Sequence, residues 1–258
     1  MTNRYDARTR EPPHRPLRAL YPRALEREYL RWLLPLLRAA HRVFAERLLP
    51  EVHRFGDDYD TEMARIFGDI RVEYERVVTE TRLTDAAWIA TKHVSCLNRL
   101  SLSREFRPLL GADVLSYEPW LQPLAQGFVR DNVALIRTLH TKHFDGLERR
   151  ALETFRTGHG QRSGALSKEI REQYQASQKR AKLIARDQIG NLNSAMTRQR
   201  QKALGVTHYI WRTWQDGRVR SRHREREGEV FSWDEPPQDG HPGEPIHCRC
   251  TADPVIET

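Results

Sequence analysis

From Pro22 onward, apolar residues recur at three- and four-residue steps: Leu25, Tyr29, Trp32, Leu33, Leu36, Ala40, Val43, Phe44 and Leu48. That period predicts an amphipathic helix. Pro22 suits its first turn, and Pro35 inside the pattern predicts a kink or a split. The acidic run Asp57-Asp58-Tyr59-Asp60 interrupts the pattern. Residues 61–80 read as a second helix, with Met63, Ile66, Phe67, Ile70, Tyr74 and Val77 on one face. Thr84-Asp85 is expected to cap a third, from Ala86 to about Leu100. Residues 101–119, with Pro108, Gly111 and Pro119, read as irregular. A long helical stretch begins at Trp120, with Phe128, Val129, Asn132, Leu135, Ile136 and Leu139 on one side, and continues to Phe155 with a bend expected near Gly146. Gly158-His159-Gly160 and Gly164 read as a loop, followed by a short helix over 165–176. Residues 178–204 give the cleanest stripe: Ala181, Ile184, Ala185, Gln188, Ile189, Leu192, Ala195, Met196 and Gln199. Lys179, Lys182, Arg186, Arg198, Arg200 and Lys202 fall largely off it and read as a solvated face, and Gly205 stands where a helix cap is expected.

After Gly205 the texture changes. Thr207–Trp214 is rich in β-branched and aromatic residues and reads as a strand, and Asp216-Gly217 reads as a turn. Val230–Trp233 reads as a second short strand and Ile246–Thr251 as a last one, with prolines and glycines between them marking loops. The expected class is α+β, a mostly helical N-terminal and central body with a small C-terminal tail of short strands.

Composition narrows the function classes. The 258 residues carry a net charge of +8, 43 Lys plus Arg against 35 Asp plus Glu, and 37 of the 43 are Arg. Arg favours phosphate and carboxylate partners through its planar fork, although genome composition also raises it. The charge is uneven: +6 over residues 1–50, -2 over 51–150, +7 over 151–205 and -3 over 206–258. The two basic blocks fit contact with DNA phosphates, but no helix-turn-helix, finger or ribbon motif supports sequence-specific readout. No apolar run is long enough for a membrane span, and the opening residues lack the apolar core of a secretory signal. Three cysteines, two of them one residue apart, make no disulfide framework. Cys96, inside a helix, reads as a small buried residue.

Two elements of the tail carry candidate chemistry: Asp216-Gly-Arg-Val-Arg-Ser-Arg-His223 and Pro245-Ile-His-Cys-Arg-Cys250. In extended chain Asp216, Arg218 and Arg220 share a face, as do Cys248 and Cys250, with His247 and Arg249 opposite. One reading is a metal site of His223, Cys248 and Cys250, joined or not by His247, because thiolate and imidazole suit zinc. Against it, a single residue between the cysteines demands a bent backbone. A second reading is a thiol nucleophile with His223 as base and Asp216 as orienter. A third is a polar scaffold in which Asp216, Arg218, Arg220, His223 and Arg249 tie the loops together, while Trp211, Trp214, Phe231 and Trp233 supply the core and the cysteines fill small core sites. Trp211 is the firmer core residue; Trp214 also suits a partner surface.

The order of these elements resembles a known family. An Arg-Ala-Lys-Leu-Ile-Ala-Arg-Asp-Gln helix (180–188), Leu-Gly-Val (204–206), Tyr-Ile-Trp-Arg-Thr (209–213), Asp-Gly-Arg-Val-Arg with His223, and a closing Pro-Ile-His-Cys-Arg-Cys are similar to the Mu F-like phage head morphogenesis, or minor capsid, proteins. The likeness is strong over about 178–256 and extends from about 120; Gly217 departs from it, since the family often has a larger polar residue there. The residues themselves give an extended basic arm at 1–20 and a helical region at 21–119, neither of which carries a motif of the family; the resemblance implies a Mu F-like domain at 120–258 with its strand-rich tail at 206–258. It implies a non-enzymatic virion or prophage-encoded protein of the capsid interior near the portal, found in the host cytoplasm during assembly. Its implied partners are portal protein, scaffold or major capsid protein, with non-specific contact to packaged DNA. The family positions carried over are Asp216, Arg218, Arg220, His223, Cys248, Arg249 and Cys250, with metal or polar scaffold as their alternative roles. No cofactor comes with the family; zinc is the ion the donors admit. The alternative function is a metal- or thiol-dependent enzyme, nuclease-like or toxin-like, in the tail.

Overall fold

The computed structural model describes residues 21–51, 59–110, 115, 117–157 and 163–256. The arm at 1–20, the Asp57-Asp58 break and the Gly158–Gly160 loop lie outside them. The order among the described residues is α1 (Arg23–Leu48), α2 (Tyr59–Val77), α3 (Glu80–Leu110), α4 (Leu121–Arg156), α5 (Ser163–Ala203), β1 (His208–Arg212), α6 (Ser221–Glu225), β2 (Val230–Ser232) and β3 (Thr251–Pro254). The protein is α+β and mostly helical, as its periodicity predicts. No described helix is long and apolar enough to cross a membrane.

Several boundaries differ from the sequence reading. Helix α1 runs through Pro35 unbroken, with the proline on its exposed side. Trp32 is 44% exposed rather than part of the buried stripe. Helix α3 starts earlier than expected because Thr79, not Thr84 or Asp85, accepts the Arg82 N–H at its first turn (3.4 Å). It also runs on to Leu110, where Leu102 and Phe106 are buried, so tertiary packing overrides a segment that reads as irregular. The two helices expected at 165–176 and 178–204 are one, and Gly164 belongs to it rather than to a loop.

The chain divides into two compact units. One consists of Ala24–Thr91 and Ala125–Ala185. Its main core joins Ala40, Val43, Phe44 and Leu48 of α1 to Met63, Ile66, Phe67, Ile70 and Tyr74 of α2, Phe144, Leu147 and Ala151 of α4, and Leu166 and Ile170 of α5. A second cluster gathers Leu139, Ala181 and Ile184 with Leu30, Leu34 and Leu135.

The other unit takes the described residues of Met1–Arg23, Lys92–Leu124 and Arg186–Thr258. Its sheet has the order β2-β1-β3 with both pairings antiparallel, Tyr209 facing Phe231 on one side and Trp211 facing Ala252 on the other. Alternation along β1 puts Tyr209 and Trp211 on the buried face, where they pack with Trp233, Cys248, Cys250 and Ala252. Gln201 of α5 holds this sheet by donating to the Ala252 carbonyl (3.0 Å) and accepting from Trp233 Nε1 (3.0 Å). The expected last strand at Ile246–Thr251 is instead a looped segment, and β3 begins only at Thr251.

The turn from α5 into β1 rests on Gly205 at φ +78. The Gly205 N–H bonds the Lys202 carbonyl (3.0 Å) and the Val206 N–H bonds that of Gln201 (3.0 Å), which satisfies the last helical acceptors. Nothing crowds a Cβ at this position, so Gly205→Ala meets only the left-handed backbone penalty. We expect a loss of about 1–2 kcal/mol in chemical denaturation, and unchanged stability would contradict the cap assignment.

Candidate functional site

Turn, helix and loop bring the tail's polar residues together within the second unit. Asp216 begins the turn after β1, where its Oδ1 accepts the Arg218 N–H (3.0 Å). The same oxygen accepts Arg249 Nη2 (2.7 Å), and this bond holds the Asp216 carboxyl below the usual carboxylate range. Arg220 donates to the Ile246 carbonyl (2.6 Å). These contacts join the turn at 216–220 to the loop at 246–250. The turn expected at Asp216-Gly217 is present and continues to Val219, whose N–H bonds the Asp216 carbonyl (3.1 Å), so Asp216, Arg218 and Arg220 do not share the face that extended chain would give them. Arg249 also lies over the Trp214 ring (5.8 Å), and Trp214 is 40% exposed while Trp211 is fully buried.

His223 is presented by the short helix α6 and is buried. Its Nδ1 lies 3.7 Å from Cys248 Sγ and 3.5 Å from Cys250 Sγ. Its Nε2 lies 3.0 Å from Asp239 Oδ2. Asp239 is anchored in turn by Arg226 (2.6 Å) and Arg222 (3.1 Å). The residue behind His223 is therefore Asp239, not Asp216 as the nucleophile reading had it. Asp239 was missed because a lone acid in a loop of prolines and glycines carries no spacing signal.

The Cys248–Cys250 segment is bent, not extended. His247 adopts φ +60, and the N–H groups of Gly243 and Cys250 both point at Cys248 Sγ (3.3 and 3.4 Å). This bend lets two cysteines one residue apart face a single imidazole. His247 itself turns to Asp187 on α5, whose Oδ1 accepts its backbone N–H (2.6 Å), so it does not join the cluster. Cys96, expected to be buried, is exposed on α3.

The electrostatics follow from this packing. The bond with Cys250 is the largest influence on Cys248 and lowers its thiol to about 5, against burial and with help from His223. Cys250 is pushed up, first by Cys248 and then by burial. His223 is raised above its ordinary value by Cys248 and, behind it, Asp239, with burial opposing. Burial works to raise Asp239, but the bonds from Arg226 and His223 outweigh it and hold the carboxyl low. A cavity of about 70 Å³ reaches the cluster and is lined by His223, Cys248 and Cys250 together with Trp214, Arg218 and Arg220. The same side chains thus suit a soft metal ion, a thiol nucleophile oriented by His223 and Asp239, or a polar clasp.

Gly243 positions the loop. It sits at φ +91, and a Cβ there would lie 2.8 Å from Ser194 Cβ and 3.4 Å from the Gly190 carbonyl. Ser194 also donates to the Pro242 carbonyl beside it. Gly243→Ala combines backbone strain with overpacking, and we expect about 2–3 kcal/mol of destabilisation by denaturant titration. A loss below about 0.5 kcal/mol would show that the loop does not press on α5.

Comparison with known proteins bears on this part of the chain. Residues 150–253 match the family described as Phage Mu protein F like protein. The match begins between the two starting points, 120 and 178, that the residues themselves suggest. An uncharacterized protein of Haemophilus influenzae is 28% identical over 218 residues, which cover 81% of this chain and 48% of the relative. The chain thus spans about half the length of that relative. No solved structure matches. The likeness to that family thus lies over residues 150–253, a segment that holds all of α5, nearly all of the three-stranded sheet and the Cys–His cluster.

Proposed function

We propose that the chain is a phage head morphogenesis protein, a minor head component that acts by binding rather than by turnover. The match over residues 150–253 carries this reading, because it covers the specific order of the Asp-Gly-Arg-Val-Arg and Cys-Arg-Cys elements. The basic balance supports it, since a protein facing packaged DNA gains from arginine and from a net charge of +8. Large apolar side chains left at the surface, Trp32 on α1 and Trp214 and Ile246 in the tail, are suited to protein partners. The partners we assign are portal protein and the procapsid interior, scaffold or major capsid protein, with non-specific contact to DNA.

The test is co-purification of the full chain with its cognate portal and procapsid, together with duplex binding across a salt series. The reading expects portal or procapsid association and DNA affinity that falls steeply with salt. Failure to associate with either assembly would overturn it. A second reading is favoured by one observation, the chain of Cys248 and Cys250, His223 and Asp239 beside a cavity. It makes the tail a metal- or thiol-dependent enzyme. A reaction abolished by His223→Ala with the fold intact would establish it, whereas loss of folding alone favours the scaffold.

A further inference from the structure

We infer that His223, Cys248 and Cys250 form a zinc site whose fourth coordination position opens onto the cavity lined by Trp214, Arg218 and Arg220. This goes beyond the head assembly role and stands independently of it. The three donor atoms lie within 4.8 Å of one another. Tetrahedral zinc with ordinary Zn–S and Zn–N bonds places a sulfur and a nitrogen donor about 3.6 Å apart. The observed separations from His223 Nδ1 are 3.5 and 3.7 Å. The group is therefore already spaced as ligands around one ion.

Three further features point the same way. Asp239 faces Nε2, so that nitrogen is the donor and Nδ1 is left with its lone pair toward the sulfurs. A carboxylate behind a histidine is the usual outer partner of a ligating imidazole, and Arg222 and Arg226 fix it in place. The Gly243 and Cys250 N–H groups aimed at Cys248 Sγ support negative charge on sulfur. Two thiolates and one imidazole are soft and borderline donors, which select zinc over magnesium or calcium. Cysteines serving only as small core residues beside Trp211 would not explain a histidine aimed at both sulfurs with an anchored carboxylate behind it.

Among the described residues no fourth His, Cys, Asp or Glu joins the group. All three donors line the same cavity, so the fourth position is solvent-facing and takes water. Binding displaces the remaining thiol protons into solvent, and the two sulfur charges balance the ion. The ion links α6 to the 246–250 loop, so its binding contributes to folding of the tail.

The test is the metal content of the full chain, produced in zinc-containing medium and purified without chelator, followed by exchange with cobalt(II). The inference expects about one zinc per chain and a cobalt spectrum with the ligand-field and thiolate charge-transfer bands of a tetrahedral sulfur site. Cys248→Ser and Cys250→Ser each weaken the charge-transfer band, Cys96→Ser leaves it unchanged, and Asp239→Asn keeps the site but lowers zinc affinity about 10–100-fold. Only trace zinc in the wild-type chain, or cobalt bands without thiolate character, would overturn the inference. Because those two readings use the wild-type protein, the test holds even where a cysteine variant fails to fold.

Discussion

Arg200→Ala is expected to destabilise the protein by about 3–5 kcal/mol, the cost of leaving one member of a buried ion pair without its partner. The Arg200 side chain is fully buried in the unit that holds the candidate site. Its guanidinium grips Glu118 with two bonds, Nε to Oε1 (2.6 Å) and Nη2 to Oε2 (3.1 Å). It also donates to Asn98 Oδ1 (2.6 Å) and to the Ser95 carbonyl (3.1 Å) and hydroxyl (3.0 Å). Asn98 passes the network back to α5 through Asn193 and Thr197. Removing the fork strands a buried carboxylate and several acceptors at once. Arg200→Lys should fail to restore stability, because a compact ammonium cannot make the paired bonds. Arg200→Leu combined with Glu118→Leu should recover part of the loss, since no charge is then left alone. Denaturant titration of the four proteins checks this. A loss below about 1 kcal/mol for Arg200→Ala would show that the network contributes little.

The second large effect is a fall in stability as the pH drops from about 6.5 toward 4, a window whose upper part lies above the range in which most carboxylates titrate. It comes from the other unit. His140 and His143 of α4 are buried, and both ring nitrogens of His140 lack a hydrogen-bond partner among the described residues. Burial lowers His140 from 6.5 to about 4. Burial also lowers His143 to about 3, with His41 and His140 adding to the effect. Tyr74 stands against His140, while His41 and Tyr174 stand against His143, and Ser177 Oγ bonds His143 Nδ1 (2.9 Å). Below pH 6.5 the unfolded chain takes up these protons and the folded chain does not, so acid favours unfolding until the folded-state pKa is reached. The stabilisation is complete above 6.5 and is lost on the way down, by roughly 3 kcal/mol for His140 alone. His140→Leu removes that titration, so the difference in pH slope between wild type and variant isolates it. His223, whose pKa is raised, acts with the opposite sign and is common to both proteins. Equal stability at pH 6.5 and 4.5 in the wild type, with the same slope in His140→Leu, would contradict the assignment.

How far the sequence disclosed this structure depends on how local each signal is. The α2 stripe and the buried partners on β1 were legible because a repeating apolar period survives any choice of neighbour. Gly205 was legible because a left-handed cap is a one-residue requirement. The Cys–His cluster was legible as a set of donors, but its convergence was not, since it depends on a bent loop held by Gly243 and α5. Arg200 misled. It falls off the Ala181–Ile184–Ile189 stripe and reads as solvated, yet the buried side of α5 moves round to Asn193, Thr197, Arg200 and Gln201 toward its end. A polar residue buried by non-local partners leaves no mark in hydrophobic periodicity. Asp239 was invisible for the same reason, because its meaning comes from Arg222, His223 and Arg226.

The proposal that this chain is built into phage heads is checked by imaging the portal vertex of purified procapsids and virions, with the chain quantified in the same particles. A minor head protein is expected there in few copies at the portal, facing the capsid interior, with particles that assemble or package DNA poorly without it. Its absence from purified particles, with normal heads and packaging when it is missing, would overturn the proposal.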